Sequence, residues 1–211
     1  MSLFSFFFRQ KNNFYSQSGQ DQFAYNLTGK NGTYLEIGAA DPIINNNTYI
    51  LEVLHNWRGV SVELDKSHMS SWKKFSERNN RIIWDDAFKI NFEEILYAEG
   101  IKKKINYLSC DIETPEENFK ILKKLHRFNL KFDFISFEHD RYKLGDQFEK
   151  QTKNFLLDNG YKIAVNDVYS RGKKKKIYET WFVDCEIDFK KIEYKDWKNK
   201  IYTKSFEKIN K

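Results

Sequence analysis

The stretch "GTYLEIGAADPIINNNT", Gly32 to Thr48, decides how the rest of the chain reads. A β-rich run stops on Gly38, an acidic residue, Asp41, follows five positions after Glu36, and asparagines suited to capping a helix come next. Pro42 stands in the middle of this loop, where it removes a backbone donor and fixes φ near about −65°.

Working outward, the same β-then-α pattern recurs. "NNTYILEVLHNW" carries Ile50, Val53, Leu54 and Trp57 at helical spacing, and "GVSVEL" is the next strand. "SHMSSWKKF" predicts a helix, "RIIWDD" a third strand, and "NFEEILYAEG" a short helix with acids in its first turn and Gly100 past its end. "INYLSCDIE" is a fourth strand. "TPEENFKILKKLHRF" follows, with Thr114 as N-cap, Pro115 at the first helical position, Glu117 three residues on, and Ile121, Leu122, Leu125 and Phe128 as a buried stripe. "KFDFISFEH" is a fifth strand and "DQFEKQTKNFLLDNG" a helix. "YKIAVNDV" and "IYETWFVD" pair across "YSRGKKKK", which is too short for a crossover helix. The pattern predicts an open, mostly parallel α/β sheet with an antiparallel last strand. Upstream, Ser18 and Asp21 in "SQSGQDQF" read as a capping box opening a helix. That helix either packs Phe23 on the sheet or forms a lid, in which case Tyr15 and Gln20 would touch cofactor or acceptor.

A length of 211 residues with 17% aromatics supports one domain with a full core. The expected division is an extension over 1–15, the domain over 16–190 and a basic tail over 191–211. The net charge of +6 arises from Lys spread along the chain among Asn and Ile, and it reads as a basic surface more than as a nucleic-acid footprint. Two cysteines, Cys110 and Cys185, both in apolar runs, argue against a disulfide framework and for a reducing, cytoplasmic setting. "MSLFSFFFRQK" at the start is too short to span a bilayer. It is expected to pack on the domain, with weak interfacial contact by residues 1–11 as the less favoured reading.

In open α/β sheets ligands bind at the carboxyl ends of the strands. Those ends carry Glu36 and Gly38; Glu63; Asp85 and Asp86; Asp111 and Glu113; and Glu138, His139 and Asp140. A single such carboxylate is most simply a helix cap, but five consecutive strands ending on one favour a polar ligand site. One glycine and two acids in the first loop disfavour a pyrophosphate and suit S-adenosylmethionine, which carries an ammonium, a sulfonium, a ribose diol and an adenine but no phosphate. Glu63 is placed to accept from ribose hydroxyls.

"SQSGQDQF", "GTYLEIGAAD", "NNTYILEVLHNWRGVSVEL", "INYLSCDIE", "FISFEHD" and "LLDNGYKIAVNDV" with "WFVD", in this order, resemble the FkbM family of S-adenosylmethionine-dependent methyltransferases, from about Ser16 to Asp184. The resemblance implies a Rossmann-like seven-stranded methyltransferase fold and methyl transfer to a hydroxyl oxygen of a small molecule or glycan. It implies Glu36, Gly38 and Asp41 along the methionine part of the cofactor, Glu63 on the ribose and Asp86 near the adenine. Asp111 and Glu113 would lie beside the methyl group, and Glu138 with His139 would match the family's strand end. Two positions depart from the family: Pro42 replaces a glycine, and "DIETPE" replaces a D-x-E-G segment. Pro42 is expected to reshape the far side of the loop. Asp111 is the first candidate for the base that takes the hydroxyl proton, and His139 the second. A divalent metal held by these carboxylates and histidine is the less favoured reading. The competing readings are a nucleic-acid methyltransferase and a catalytically silent interaction module.

Overall fold

The computed structural model describes residues 15–75, 77–170 and 176–189. The Phe-rich start, most of the lysine run and the basic tail lie outside them. Before the first strand comes α1 (Gln20–Thr28). Then follow β1 (Thr33–Ile37), α2 (Tyr49–His55), β2 (Arg58–Val62), a 3-10 turn (Lys66–His68), α3 (Met69–Lys74), β3 (Arg81–Ile83), α4 (Phe92–Ala98) and β4 (Lys104–Cys110). The rest is α5 (Pro115–Arg127), β5 (Lys131–Glu138), α6 (Arg141–Leu144), α7 (Gln147–Asp158), β6 (Tyr161–Tyr169) and β7 (Ile177–Asp184).

All seven predicted strands form one sheet in the order β3-β2-β1-β4-β5-β7-β6. Pairings from β3 to β5 are parallel, and β7 runs antiparallel to both β5 and β6. The antiparallel strand is thus last in the chain but next to last in space, inserted between β5 and the edge strand β6.

Both faces of the sheet are covered, which is why its strands are nearly continuous apolar runs. On one face Leu35, Ile37, Leu108, Ile135 and Phe137 pack against Leu96 of α4, Ile121, Leu122 and Leu125 of α5, and Leu156 of α7. On the other, Tyr34, Tyr107, Phe134 and Trp181 pack against Phe23 of α1 and Ile50 and Leu51 of α2. The side-chain period of two therefore puts Tyr34 and Glu36 on the α1/α2 side and Leu35 and Ile37 on the other.

Local signals account for the helices. Thr114 Oγ1 accepts from the Glu117 N–H at 3.2 Å, and Pro115 sits where no N–H is needed. Asn91 caps α4 by accepting from the Glu94 N–H. The expected capping box at α1 does not form. Gly19 opens that helix in a left-handed conformation, Ser18 Oγ donates instead to the Tyr169 carbonyl at 3.0 Å, and the Asp21 carboxylate turns back to accept from the backbone N–H groups of Tyr15 and Ser16. The first turn is held by this acid, buried with its own upstream segment. Phe23 is fully buried, with ring centroids 4.7 Å from Phe134 and 5.2 Å from Trp181, so α1 is a structural element and not a lid. Gln20 donates to Glu179 and to the Tyr178 hydroxyl, and Tyr15 packs edge-on against Tyr49. Neither lines the cavity described below.

Both cysteines are free: Cys110 is buried at the end of β4, while Cys185 lies beyond β7 and is exposed, not inside a strand. Among the described residues no helix is long and apolar enough to cross a membrane.

Candidate active site

A cavity of about 690 Å³ opens at the carboxyl ends of β1, β2, β3, β4 and β5, within the size range of small-molecule sites. Its floor is made by close approach of β1 and β4. Gly38 has φ 83°, and a Cβ there would stand 1.7 Å from the Asp111 carbonyl oxygen, so the chain itself demands glycine at this point.

The loop from Gly38 to Thr48 is braced from behind. Ala40, left-handed at φ 46°, donates its N–H to Glu63 Oε2 at 2.7 Å and accepts at its carbonyl from the Trp72 indole at 2.9 Å. Asp41 Oδ1 accepts from the N–H groups of Ile43 and Ile44. Asn46 Oδ1 accepts from the N–H groups of Thr48 and Tyr49, and its Nδ2 donates to the carbonyls of Ala39 and Asp41. Behind them lies Arg78. Its guanidinium donates to Glu52, the Pro42 carbonyl, Asn46, Thr48 and the Tyr34 hydroxyl at 2.8 to 3.1 Å, approaches Glu36 at 3.9 Å, and stacks 4.3 Å from the Trp72 ring centre. Pro42 fits this loop because the positive φ values fall at Gly38, Ala40 and Asn45 instead, and its carbonyl is one of the points the guanidinium holds.

Eight of the residues expected from the sequence line the cavity: Gly38, Glu63, Asp85, Asp86, Asp111, Glu113, Glu138 and Asp140. Three do not. Glu36 faces α2, where it accepts from Ser61 Oγ at 2.8 Å and Thr48 Oγ1 at 2.9 Å; burial raises its pKa, with Arg78 and these hydroxyls pulling the other way. Asp41 is engaged in its own turn. His139 is buried, with Nε2 3.1 Å from Thr180 Oγ1 and Nδ1 accepting from the Arg141 N–H. Burial lowers the His139 pKa to about 4, so it is neutral at physiological pH and turned away from the cavity. That placement removes it as the second candidate base.

The structure adds residues that sequence reasoning missed. Leu64 and Phe88 line the cavity with exposed side chains, an apolar pair beside the acids of β2 and β3. Asn118 is fully buried, accepts from the Ile112 N–H at 2.7 Å and donates to the Glu138 carbonyl, tying the ends of β4 and β5 together. Its signal was there: a lone polar residue in register with Ile121, Leu122 and Leu125 on the buried face of α5.

Asp111 and Glu138 meet at the ends of the neighbouring strands β4 and β5, close enough for each to shift the other's titration. Asp111 lines the cavity and is exposed to solvent there. Enclosure by the surrounding chain raises both carboxyls, Glu138 further by the charge of Asp111, so that the pair holds a proton where separate carboxylates would not. Among the described residues no three His, Cys, Asp or Glu side chains are grouped as a metal would require.

No family model matches the chain, and no curated protein does. Solved structures do. TrmK of M. capricolum, in complex with S-adenosylhomocysteine, is 11% identical over 80% of this chain and 68% of its own, with a TM-score of 0.55. A protein from Klebsiella pneumoniae assigned as an O-methyltransferase is 14% identical over 79% and 80%, TM-score 0.55. The fibrillarin pre-rRNA processing protein of Methanococcus jannaschii is 17% identical over 74% and 67%, TM-score 0.53. Identities this low speak for architecture, and the architecture is plain: the chain has the Rossmann-like, seven-stranded fold of the methyltransferases.

Proposed function

We propose that the protein transfers a methyl group from S-adenosylmethionine to a hydroxyl oxygen of a small molecule or glycan, as the FkbM resemblance implies. The observation that carries this reading is the composition of the cavity wall. Nine of its twenty residues are Asp or Glu and one is Lys, on a chain whose overall charge is +6. Such a wall attracts a sulfonium and an ammonium and repels phosphates, which weighs against a nucleic-acid acceptor. Glu63 would accept from the ribose diol, Leu64 and Phe88 would flank the adenine, and Asp86 would lie at its edge. The neighbouring methyltransferases of similar architecture support the same cofactor.

When bound, the cofactor supplies an activated methyl group. The chain's own residues then have two tasks, holding the acceptor oxygen in line and taking its proton. Asp111 is the group for the second. With Glu138 sharing the charge, the proton has a place to go inside the cleft.

Calorimetric titration with S-adenosylmethionine and S-adenosylhomocysteine tests the assignment. Micromolar binding is expected, weakened by about tenfold in Glu63→Gln, which keeps an acceptor for the Ala40 N–H but removes the charge and the oxygen that accepts from the Asp65 N–H. Absence of binding by the unaltered protein would overturn the reading and favour an interaction module. Once an acceptor is found, kcat should fall on acidification along a limb displaced above the ordinary carboxylate range, because Asp111 must be deprotonated to act and its pKa is raised. Asp111→Asn should lower kcat by about 100-fold or more and abolish that limb.

A further inference from the structure

The acids of the cavity are not all where a cofactor could use them. In the order β3-β2-β1-β4-β5, the ends of β3, β2, β1 and β4 would span the adenosine and methionine parts of the proposed cofactor. Glu138 and Asp140, at the end of β5, lie one strand further on, where an acceptor must enter to reach Asp111. Asp140 is 6% exposed and held in a left-handed conformation at φ 46°. One of its carboxylate oxygens pairs with Lys143, whereas the other, Oδ1, is buried with no hydrogen-bond partner among the described residues. A buried carboxylate oxygen without a donor is costly, and Asp140 is one of the residues that line the cavity.

The chain itself shows which donor the cluster accepts. Lys143 comes from the four-residue α6, lines the cavity, and places a primary ammonium on Asp140 with its charge also felt by Asp111. Its side chain is half exposed, and Gly145, at φ 75° with nothing within 4 Å of a built Cβ, follows directly after the helix. The ammonium can therefore withdraw without disturbing the core. With Asp111 and Glu138 sharing one proton, Asp140 and Glu113 still leave this side of the cavity negative after Lys143 is counted.

We propose that the β5 side of the cavity is an acceptor subsite for a hydroxylated amine, such as an amino sugar or amino alcohol, whose ammonium is held by Asp140 and Glu138 while its hydroxyl faces Asp111. The proposal rests on the methyltransferase reading and narrows its acceptor class. It explains why the acid wall continues past the strands a cofactor would occupy.

The test is equilibrium binding of glucosamine, glucose and glucose 6-phosphate to the protein saturated with S-adenosylhomocysteine, followed by titration calorimetry or ligand-observed magnetic resonance. Glucosamine is expected to bind at least about tenfold more tightly than glucose, with glucose 6-phosphate weakest. Asp140→Asn, an exchange the left-handed backbone tolerates, should erase the preference while leaving S-adenosylhomocysteine affinity as it was. Lys143→Ala, which removes the competing ammonium, should strengthen glucosamine binding. Equal binding of the three sugars, no binding of any, or preference for the phosphate would overturn the subsite. Failure of S-adenosylhomocysteine itself to bind would instead overturn the methyltransferase reading on which it stands.

Discussion

Gly38→Ala is expected to cost more than about 3 kcal/mol of stability, whatever happens to ligand binding. The new Cβ would meet backbone, 1.7 Å from the Asp111 carbonyl oxygen and 2.7 Å from its carbon, at a φ of 83° that alanine resists. The left-handed conformation alone costs about 1–2 kcal/mol, and overpacking a rigid contact adds about 1–3 kcal/mol. Nor can β1 and β4 move apart cheaply, because the Asp111 N–H donates to the Ile37 carbonyl at 3.0 Å within their parallel ladder. In a chain of this size the loss corresponds to a fall in Tm of about 6 °C or more. Thermal unfolding followed by circular dichroism measures it, with Gly145→Ala as the comparison. That glycine also has a positive φ, 75°, with ψ −170° and open space around it, so its cost should be backbone strain without any clash. A Gly38→Ala protein as stable as Gly145→Ala would refute the close-approach argument. The result also bears on function: loss of cofactor binding in a Gly38 variant would report the floor of the site, not a contact with the ligand.

The second large effect is expected at Arg78. Arg78→Met keeps the length of the side chain but strips Glu36 and Glu52, both with side chains more than nine-tenths buried, of their cation. Breaking a buried pair from one side costs about 3–5 kcal/mol, because the remaining charge has neither water nor partner. Urea titration should show the loss at neutral pH. The deficit should shrink on acidification. Burial already raises the Glu36 pKa, and removing Arg78 raises it further. The folded variant therefore binds that proton more tightly than the unfolded chain does, and falling pH favours it. Glu36→Gln combined with Arg78→Met should recover part of the loss at neutral pH. A deficit independent of pH, or no recovery, would mean that packing on Trp72 and not charge is what Arg78 supplies.

These two residues mark where sequence reading succeeds and where it stops. Strand existence and order of appearance were legible because each buried strand is an apolar run ending abruptly in acid, and the helices between them carry caps and stripes of their own. Gly38 was legible as the glycine that ends β1 beside the expected cofactor. What approaches it was not, since Asp111 lies 73 positions later and meets it only through the parallel pairing of β1 with β4. Glu36 looked like a ligand-binding acid because a sequence shows that a strand ends in a carboxylate without showing which face it takes. One residue of pleat separates Ile37, in the cavity, from Glu36, beneath α2. The same parity divides Glu138 from His139. Arg78 was invisible for a different reason: in a lysine-rich chain a lone arginine between a helix and a short strand carries no mark of being buried, and its six partners are scattered over residues 34 to 52.

The guanidinium brace also sets an order of events. Its bonds to Pro42 and Asn46 span 36 and 32 residues, and nothing closer in sequence than β2 and α3 can bring it home. The loop beneath the cavity therefore cannot settle when β1 and α2 first form. It must wait, as an open segment, until the following strand and helix have closed over that distance and paid the associated entropy. Pulse-labelled hydrogen exchange should find the Thr48 and Tyr49 amides protected later than those of β1, the last part of the amino-terminal half to become rigid.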